Sequence, residues 1–491
     1  MSESEARDPL ADAEMTVRNV FQVLGSAVTA AGGVARLGRL SIPGRRPIDT
    51  PNYTAMTSRG AIPHLTPDNV TKHTSLTSAY MALEDSISFD PMNMLTKMNH
   101  VVVERKEPPI YNTPQHDHLP RLHSFTALAP DRTTILAARR CPSVATPMGN
   151  GARAVTLFTS TGFASVNVAQ YVAAVEKLRP DVVVPLADSL HTSTTPASKK
   201  LVKMVEHTEE WVDDFLRRFE SRQRLDELGI SVFAPVLPVE MPLQWEYLRH
   251  LAEDVAESLS GLAVYDANLL PHLNGYKPLV PLPKLSFDQP KSPHDLLRQV
   301  SLGVDLCALP FVNSMSDAGI ALTFSFPPSP SPSPYPSPSP GEASGHAALE
   351  PLGINMWSEE HRTAVVPLQE GCECHTCTKH HRAYLKHLLN AREMLGWNLL
   401  QIHNHHVVDK FFEGIRAELS KSVGHFEESS RRFSSKYEPA LPDGTGERPR
   451  ARGYHFKSEA GQEKINKSVW VAGFEDRVAE EQVVRAENDN V

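Results

Sequence analysis

The feature that most restricts the fold is an alternation of apolar runs and amphipathic stretches from about residue 155 to residue 309. Val155-Thr156-Leu157-Phe158 reads as a strand and Val166 to Leu178 as a helix. Asp181 to Asp188 reads as a buried strand, Ala197 to Leu225 as a long amphipathic helix, Ile230 to Leu237 as the next strand and Leu243 to Leu259 as the next helix. Leu262-Ala263-Val264-Tyr265 is a strand again, and Pro278 to Leu285 another, interrupted by prolines. Ser292-Pro293-His294-Asp295 opens a helix, because Ser can cap, Pro suits the first turn and Asp295 favours the positive helix end. That helix leads into the apolar run Val304 to Leu309. Strand and helix alternating at roughly forty-residue spacing predict parallel βα units. A (β/α)8 barrel and a doubly wound sheet both satisfy the alternation. No G-x-G-x-x-G follows a strand, which disfavours the dinucleotide-binding version.

Other segments read less regularly. Residues 1–15 are polar and loose. From Phe21, the pieces Ala35 to Leu40, Pro51 to Met56 and Gly60 to Thr66 are punctuated by glycine and proline, which predicts a small antiparallel sheet. Residues 85 to 150 give no clear assignment, except that Pro108, Pro109, Pro114 and Pro120 predict an extended surface loop from Glu107 to Arg121. Pro327 to Pro340 is a Ser-Pro repeat that neither pairs as a strand nor runs as a helix, so residues 327–364 read as an exposed insertion or linker. It separates a barrel over 16–326 from a subdomain over 365–437. The charged tail, 438–491, reads as mostly disordered, with a short element at Val469-Trp470-Val471.

With 491 residues the chain can bury a core for two to three domains, or one barrel with additions. Its formal charge of -9 supplies no global basic field for nucleic acid, although a groove needs only a few well-placed cations. Lys199-Lys200, Arg217-Arg218 and Arg431-Arg432 could contact phosphates, but a solvated helix face is the default for each pair. No run of eighteen apolar residues occurs. Glu3, Glu5, Asp8, Asp12 and Glu14 fit neither a mitochondrial presequence nor a secretory signal. The chain reads as cytoplasmic, and peripheral docking on an organelle such as the mitochondrial outer membrane would leave no such signature.

Three of the five cysteines form a C-x-C-x2-C array, Cys372, Cys374 and Cys377. Zinc takes four soft or borderline ligands at tetrahedral corners, and thiolates on a tight loop supply three. The remaining Cys141 and Cys307 are isolated, a pattern that fits a metal site in a reducing compartment better than a disulfide scaffold. Tyr384, Leu388, Ala391, Leu395, Leu399 and Ile402 form the stripe of an amphipathic helix. A straight helix of that length carries His403 away from the cysteines, so it must fold back if His403 is to close the site. His375, His380, His381 and His387 lie nearer, and spacing alone does not choose among them.

The array, followed by Arg382 to Leu389, Glu393 and Leu400-Gln401-Ile402-His403-Asn404, resembles the zinc subdomain of the tRNA-guanine transglycosylase family. The resemblance covers roughly residues 20 to 325 and 365 to 420. It implies a TIM-type (β/α)8 barrel with an N-terminal antiparallel element and one structural Zn2+ per chain, held by Cys372, Cys374, Cys377 and His403. Such a four-ligand site has no open position for water or substrate. Family members exchange guanine in tRNA for another base. An aspartate attacks the ribose anomeric carbon and forms a covalent intermediate.

The reacting parts implied by the resemblance are not in this chain. The family's nucleophile lies in a run like G-[IV]-D-x-F-D-C-V-L-P. Here the run is Gly303 to Pro310, and alignment sets the reacting position on Ala308 or on Leu306, while Asp305 matches an earlier Asp. Nothing like D-S-G-G-[FY]-Q occurs. The G-x-x-x-G-G base loop is replaced by Ala234 to Glu240. Asp188 matches a base-recognising Asp, and reads equally as a helix cap or satisfied polar group. A kept zinc scaffold without reacting residues resembles the family's non-catalytic branch. Gly303 to Leu306, Gly319 to Phe326 and Ala61 to Thr66 carry that likeness. It implies a heterodimer with a catalytic queuine tRNA-ribosyltransferase subunit, seating tRNAs with GUN anticodons for exchange at the wobble position, with the zinc subdomain in the interface. Two rivals are a diverged transglycosylase that recruits Asp305 or Asp188 as nucleophile, and a zinc-stabilised RNA-binding scaffold.

Overall fold

The computed structural model describes residues 20–86, 109–114, 119–144, 149–159, 162–189, 196–219, 222–328 and 349–444. Eight parallel strands close into a barrel in chain order: Asn52–Met56, Ser78–Ala82, Thr133–Ala137, Val182–Val183, Ser231–Val236, Gly261–Val264, Lys284–Ser286 and Leu306–Leu309. The last pairs with the first, Ala308 opposite Thr54, which settles the choice between barrel and open sheet. Side chains alternate in and out along each strand. Val182, Val184, Ala263, Leu306 and Ala308 fill the interior with Phe233, while Val183, Leu262, Val264, Cys307 and Leu309 face the helices.

An antiparallel sheet of Phe21–Val28, Val34–Leu40 and Ile48–Thr50 leads directly into the first barrel strand. The small N-terminal sheet is therefore present, but Pro51 to Met56 belongs to the barrel and not to that sheet. This sheet closes the end of the barrel where strands begin. Arg36, on its middle strand, donates to Asp305 through Nε at 2.9 Å and Nη2 at 2.5 Å, and the Lys284 amide donates to the same carboxylate at 2.7 Å.

Several local expectations change in the folded chain. Val155 to Phe158 lies in a strand, Ala154–Thr159, but it forms an outlying antiparallel hairpin with Gly162–Asn167. Barrel strand 133–137 lies in the stretch with no clear sequence assignment and 78–82 in one given no reading, and both are buried on both faces. The helix predicted to reach Leu225 stops at Arg218, and a second one spans Arg222–Leu228. Ser292 precedes the helix Pro293–Leu302, but its side chain makes no cap bond. Asp295 instead accepts from the Lys291 amide at 2.9 Å. The proline-rich run holds a 3-10 turn, Pro109–Asn112, that buries Ile110. The Ser-Pro repeat from 329 onward and Val469-Trp470-Val471 lie outside the described residues.

Beyond the eighth strand, Phe311–Asp317 is a short helix and Ile320–Leu322 a strand paired antiparallel with Gly353–Asn355. The 28-residue helix Met394–Lys421 then serves two cores. Trp397, Leu399 and Leu400 pack with Met356, Leu385 and Leu389 near the cysteines. Val408, Phe411, Phe412 and Ile415 join the barrel shell with Tyr53. Ser422 caps a further helix, Val423–Lys436.

Candidate metal centre

The single helix expected from Tyr384 to Ile402 is two: Arg382–Asn390 and Met394–Lys421. Arg392 breaks it with φ of +56°, a left-handed conformation that ends helices. The Glu393 amide donates to the Leu388 carbonyl across the break at 2.9 Å. This is the fold-back that His403 requires. Its Nδ1 lies 3.7 Å from Cys372 Sγ and 3.4 Å from the sulfurs of Cys374 and Cys377, and all four ligand atoms fall within 4.8 Å of one another. Zinc bonds of about 2.3 Å to sulfur and about 2.05 Å to nitrogen would set tetrahedral S···N edges near 3.6 Å. The donor set therefore fits a tetrahedral metal ion in spacing and in chemistry.

Local structure poises each ligand. Cys374 caps the helix His375–Lys379 and accepts from the Cys377 amide at 3.3 Å, which turns both sulfurs to one side. His403 donates from Nε2 to the Leu322 carbonyl at 2.8 Å, leaving the Nδ1 lone pair able to ligate a metal ion. The next residue fixes that carbonyl. Asn404 accepts from the Leu322 amide at 2.8 Å and donates to the Ile320 carbonyl and to Ser316 Oγ, each at 2.9 Å. The His-Asn pair thus grips one strand with two side chains, a role sequence reasoning did not assign to Asn404.

The crowded sulfurs cannot ionise independently. Hydrogen bonding from Cys374 pulls Cys372 down to about 6, and bonding from Cys372 and Cys374 pulls Cys377 down to about 3. Cys374 is pushed well up by its thiolate neighbours. A divalent cation would relieve that conflict by coordinating all three thiolates, leaving one net negative charge on the centre. The nearer histidines have other occupations. His375 stacks on His73 at 4.1 Å, His380 stacks on Tyr384 at 5.4 Å, and His381 accepts the Tyr384 amide at 3.2 Å as a helix cap. His387 is exposed on the helix Arg382–Asn390.

At the other candidate positions the carboxylates are spoken for. Asp305 sits at the strand-start end of the barrel, 1% exposed, in the Arg36 pair described above. Asp188 stands beyond the fourth strand. It accepts from Asn150 Nδ2 at 2.8 Å and contacts His207 Nδ1 at 2.9 Å, while its amide donates to Thr208. Ala308 and Leu306 are buried inside the barrel with Tyr80 and Phe287. After the fifth strand, Leu237 and Val239 are buried, and Gln244 Nε2 donates to both of their carbonyls, holding the loop shut.

A closed parallel barrel that places a Cys3His cluster between its eighth strand and its last long helix defines a metal-subdomain barrel protein. The chain belongs to the queuine tRNA-ribosyltransferase family, whose sequence model matches residues 31–439. It is similar to a Schizosaccharomyces pombe protein named queuine tRNA-ribosyltransferase accessory subunit 2, with 32% identity over 450 residues and 91% of each chain covered. Proteins of the same name from Drosophila virilis and Anopheles gambiae are 27% and 25% identical. Those matches cover 78% of this chain in each case, and 86% and 82% of the relatives.

Proposed function

We propose that this chain is the accessory, non-catalytic subunit of a queuine tRNA-ribosyltransferase, acting with a catalytic subunit to replace guanine by queuine at the wobble position of tRNAs with GUN anticodons. The observation that carries the reading is the contrast within one molecule. The metal cluster is assembled, whereas the strand ends that would bear the reaction hold Ala308, Leu306 and the closed loop around Leu237. The rival that recruits Asp305 or Asp188 is disfavoured, since Arg36 occupies one carboxylate, and Asn150 with His207 the other.

The ligands Cys372, Cys374, Cys377 and His403 hold one zinc ion, in a structural role, because four protein donors leave no place for substrate. The metal subdomain supplies part of the surface for the catalytic partner. Its exposed Val365, Met394 and Leu395, at 73, 54 and 44% exposure, are apolar side chains suited to that contact. For tRNA, Lys199 and Lys200 are exposed at a helix start, whereas Arg217 and Arg218 pair with Asp214 and Arg431 pairs with Glu428. Among the described residues no helix is long and apolar enough to cross a membrane. Association with the mitochondrial outer membrane is proposed as peripheral, through the heterodimer.

The test is guanine exchange into tRNA with this chain alone, with a catalytic subunit alone, and with both. Exchange only in the mixture supports the accessory role. Exchange by this chain alone overturns it.

A further inference from the structure

The mouth of the barrel keeps a cavity of about 190 Å³, walled by Tyr80, Arg139, Cys141, Pro185, Tyr265 and Phe287 among others. The three rings brace one another, Tyr80 against Phe287 at 5.2 Å and Tyr265 against Phe287 at 5.3 Å. Arg139 follows the third barrel strand, and its carbonyl accepts the Tyr80 hydroxyl, so its backbone is tied to the rim.

Its guanidinium is the unusual feature. Nη2 donates to Asn150 Oδ1 at 2.6 Å, but Nε is sealed from solvent and donates to no described residue. Among the described residues no carboxylate lies within ion-pair distance of it. Arg36 meets Asp305 at 2.5 Å, Arg45 meets Asp181 at 2.8 Å and the adjacent Arg140 meets Asp85 at 2.6 Å, whereas Arg416 shares the lack of a carboxylate and bonds the Pro51 carbonyl, away from this cavity. Asp188 is near, but Asn150 stands between, accepting from Arg139 and giving its own amide protons to Asp188. The Tyr265 hydroxyl, on the same wall, makes no hydrogen bond to a described residue. The sealed Nε is out of reach of the cavity, so what a ligand there would meet is the rest of the Arg139 side chain and the Tyr265 ring that line it.

We infer that the barrel mouth is a binding site for a small oxyanion, a phosphate or carboxylate group, held by Arg139 and the Tyr265 hydroxyl. The guanidinium fork matches either group. The space limits the rest of the ligand: it holds on the order of six water volumes of about 30 Å³. That is below the roughly 300 Å³ at which pockets begin to enclose drug-sized ligands. A compact acid or phosphate fits, and a whole nucleotide does not. The inference stands whether or not the chain is an accessory subunit.

The test uses the full chain in phosphate-free buffer at constant ionic strength, titrated separately with inorganic phosphate and with acetate. A saturable rise in melting temperature is expected in at least one arm, and the arm identifies the group. Arg139→Gln should abolish it, Tyr265→Phe should weaken it by about fivefold, and surface Arg217→Gln should leave it unchanged. A second readout needs no variant. The bound anion should protect Arg139 from phenylglyoxal, read by peptide mass spectrometry, while exposed Arg217 stays reactive. No saturable shift in either arm, an unchanged shift in a folded Arg139→Gln chain, or labelling of Arg139 unaffected by saturating anion would each overturn the proposal.

Discussion

Asn404→Ala isolates how the fold controls the metal. Asn404 is fully buried and binds three partners, the Leu322 amide, the Ile320 carbonyl and Ser316 Oγ. Truncation strands the Leu322 amide, worth about 1–3 kcal/mol, and removes two neutral hydrogen bonds at about 1 kcal/mol each. The total loss is therefore on the order of 3–5 kcal/mol. The same strand carries the Leu322 carbonyl that receives His403 Nε2–H, so its displacement lets the imidazole turn. Loss of such an outer partner weakens metal affinity by about 10–100-fold.

The assay pairs denaturant unfolding of the zinc-loaded chain with zinc competition against a chromophoric chelator. Ser316→Ala is the control. It removes one of the three bonds, should cost about 1 kcal/mol, and should leave zinc affinity unchanged. Zinc affinity within twofold of the parent in a destabilised Asn404→Ala chain would refute the claim that this strand positions His403. Unchanged stability would refute the energetic estimate.

Other outcomes follow from the same geometry. His403→Ala should lower metal content below one zinc per chain and expose the 367–380 segment to hydrogen exchange, since ligand binding and local folding are coupled. Full retention of metal would mean that another histidine supplies the fourth donor, His406 on the same helix being one candidate, its imidazole held above its ordinary value by Cys372. Asp305→Asn should cost about 3–5 kcal/mol by leaving Arg36 unpaired in the barrel floor. Its folded fraction should still support full exchange with the catalytic partner, and loss of exchange would revive the recruited-nucleophile reading. Met394→Asp should weaken partner capture without changing the melting of the free chain; unaltered capture would move the interface elsewhere. Asp409 receives the Tyr53 hydroxyl and the Ser75 amide, yet burial pushes its carboxyl up to about 6 from 3.8. The folded state therefore keeps a proton that the unfolded chain releases, and this contribution to stability is lost as pH rises through 6. Between pH 5 and 7 it amounts to about 1.3 kcal/mol. The stability difference between Asp409→Asn and the parent should shift by that amount in favour of the variant, and a constant difference would refute the assignment.

What the sequence revealed and what it concealed divide along physical lines. Long helices and the strands between them declared parallel βα units through period and spacing, and only the family resemblance chose the barrel over a doubly wound sheet. The strands Ser78–Ala82 and Thr133–Ala137 did not declare themselves, because a strand buried on both faces offers no alternation. Val155 to Phe158 had strand composition but not strand location. Its partner across a tight hairpin was local, and local pairing outcompetes entry into the barrel. The cysteine array was legible from spacing, but the break that returns His403 was not. It rests on Arg392, an ordinary helix former held left-handed, with no glycine or proline to announce it. The requirement that His403 reach the sulfurs nonetheless demanded such a break. The function of a polar residue was hardest to read, because it depends on company that spacing cannot show. Asp188 looks like a free carboxylate beyond a strand until Asn150 and His207 are placed on it, and Asn150 in turn separates it from Arg139. One amide thereby spends the barrel mouth's negative charge on His207 and itself, and leaves its positive charge facing the cavity.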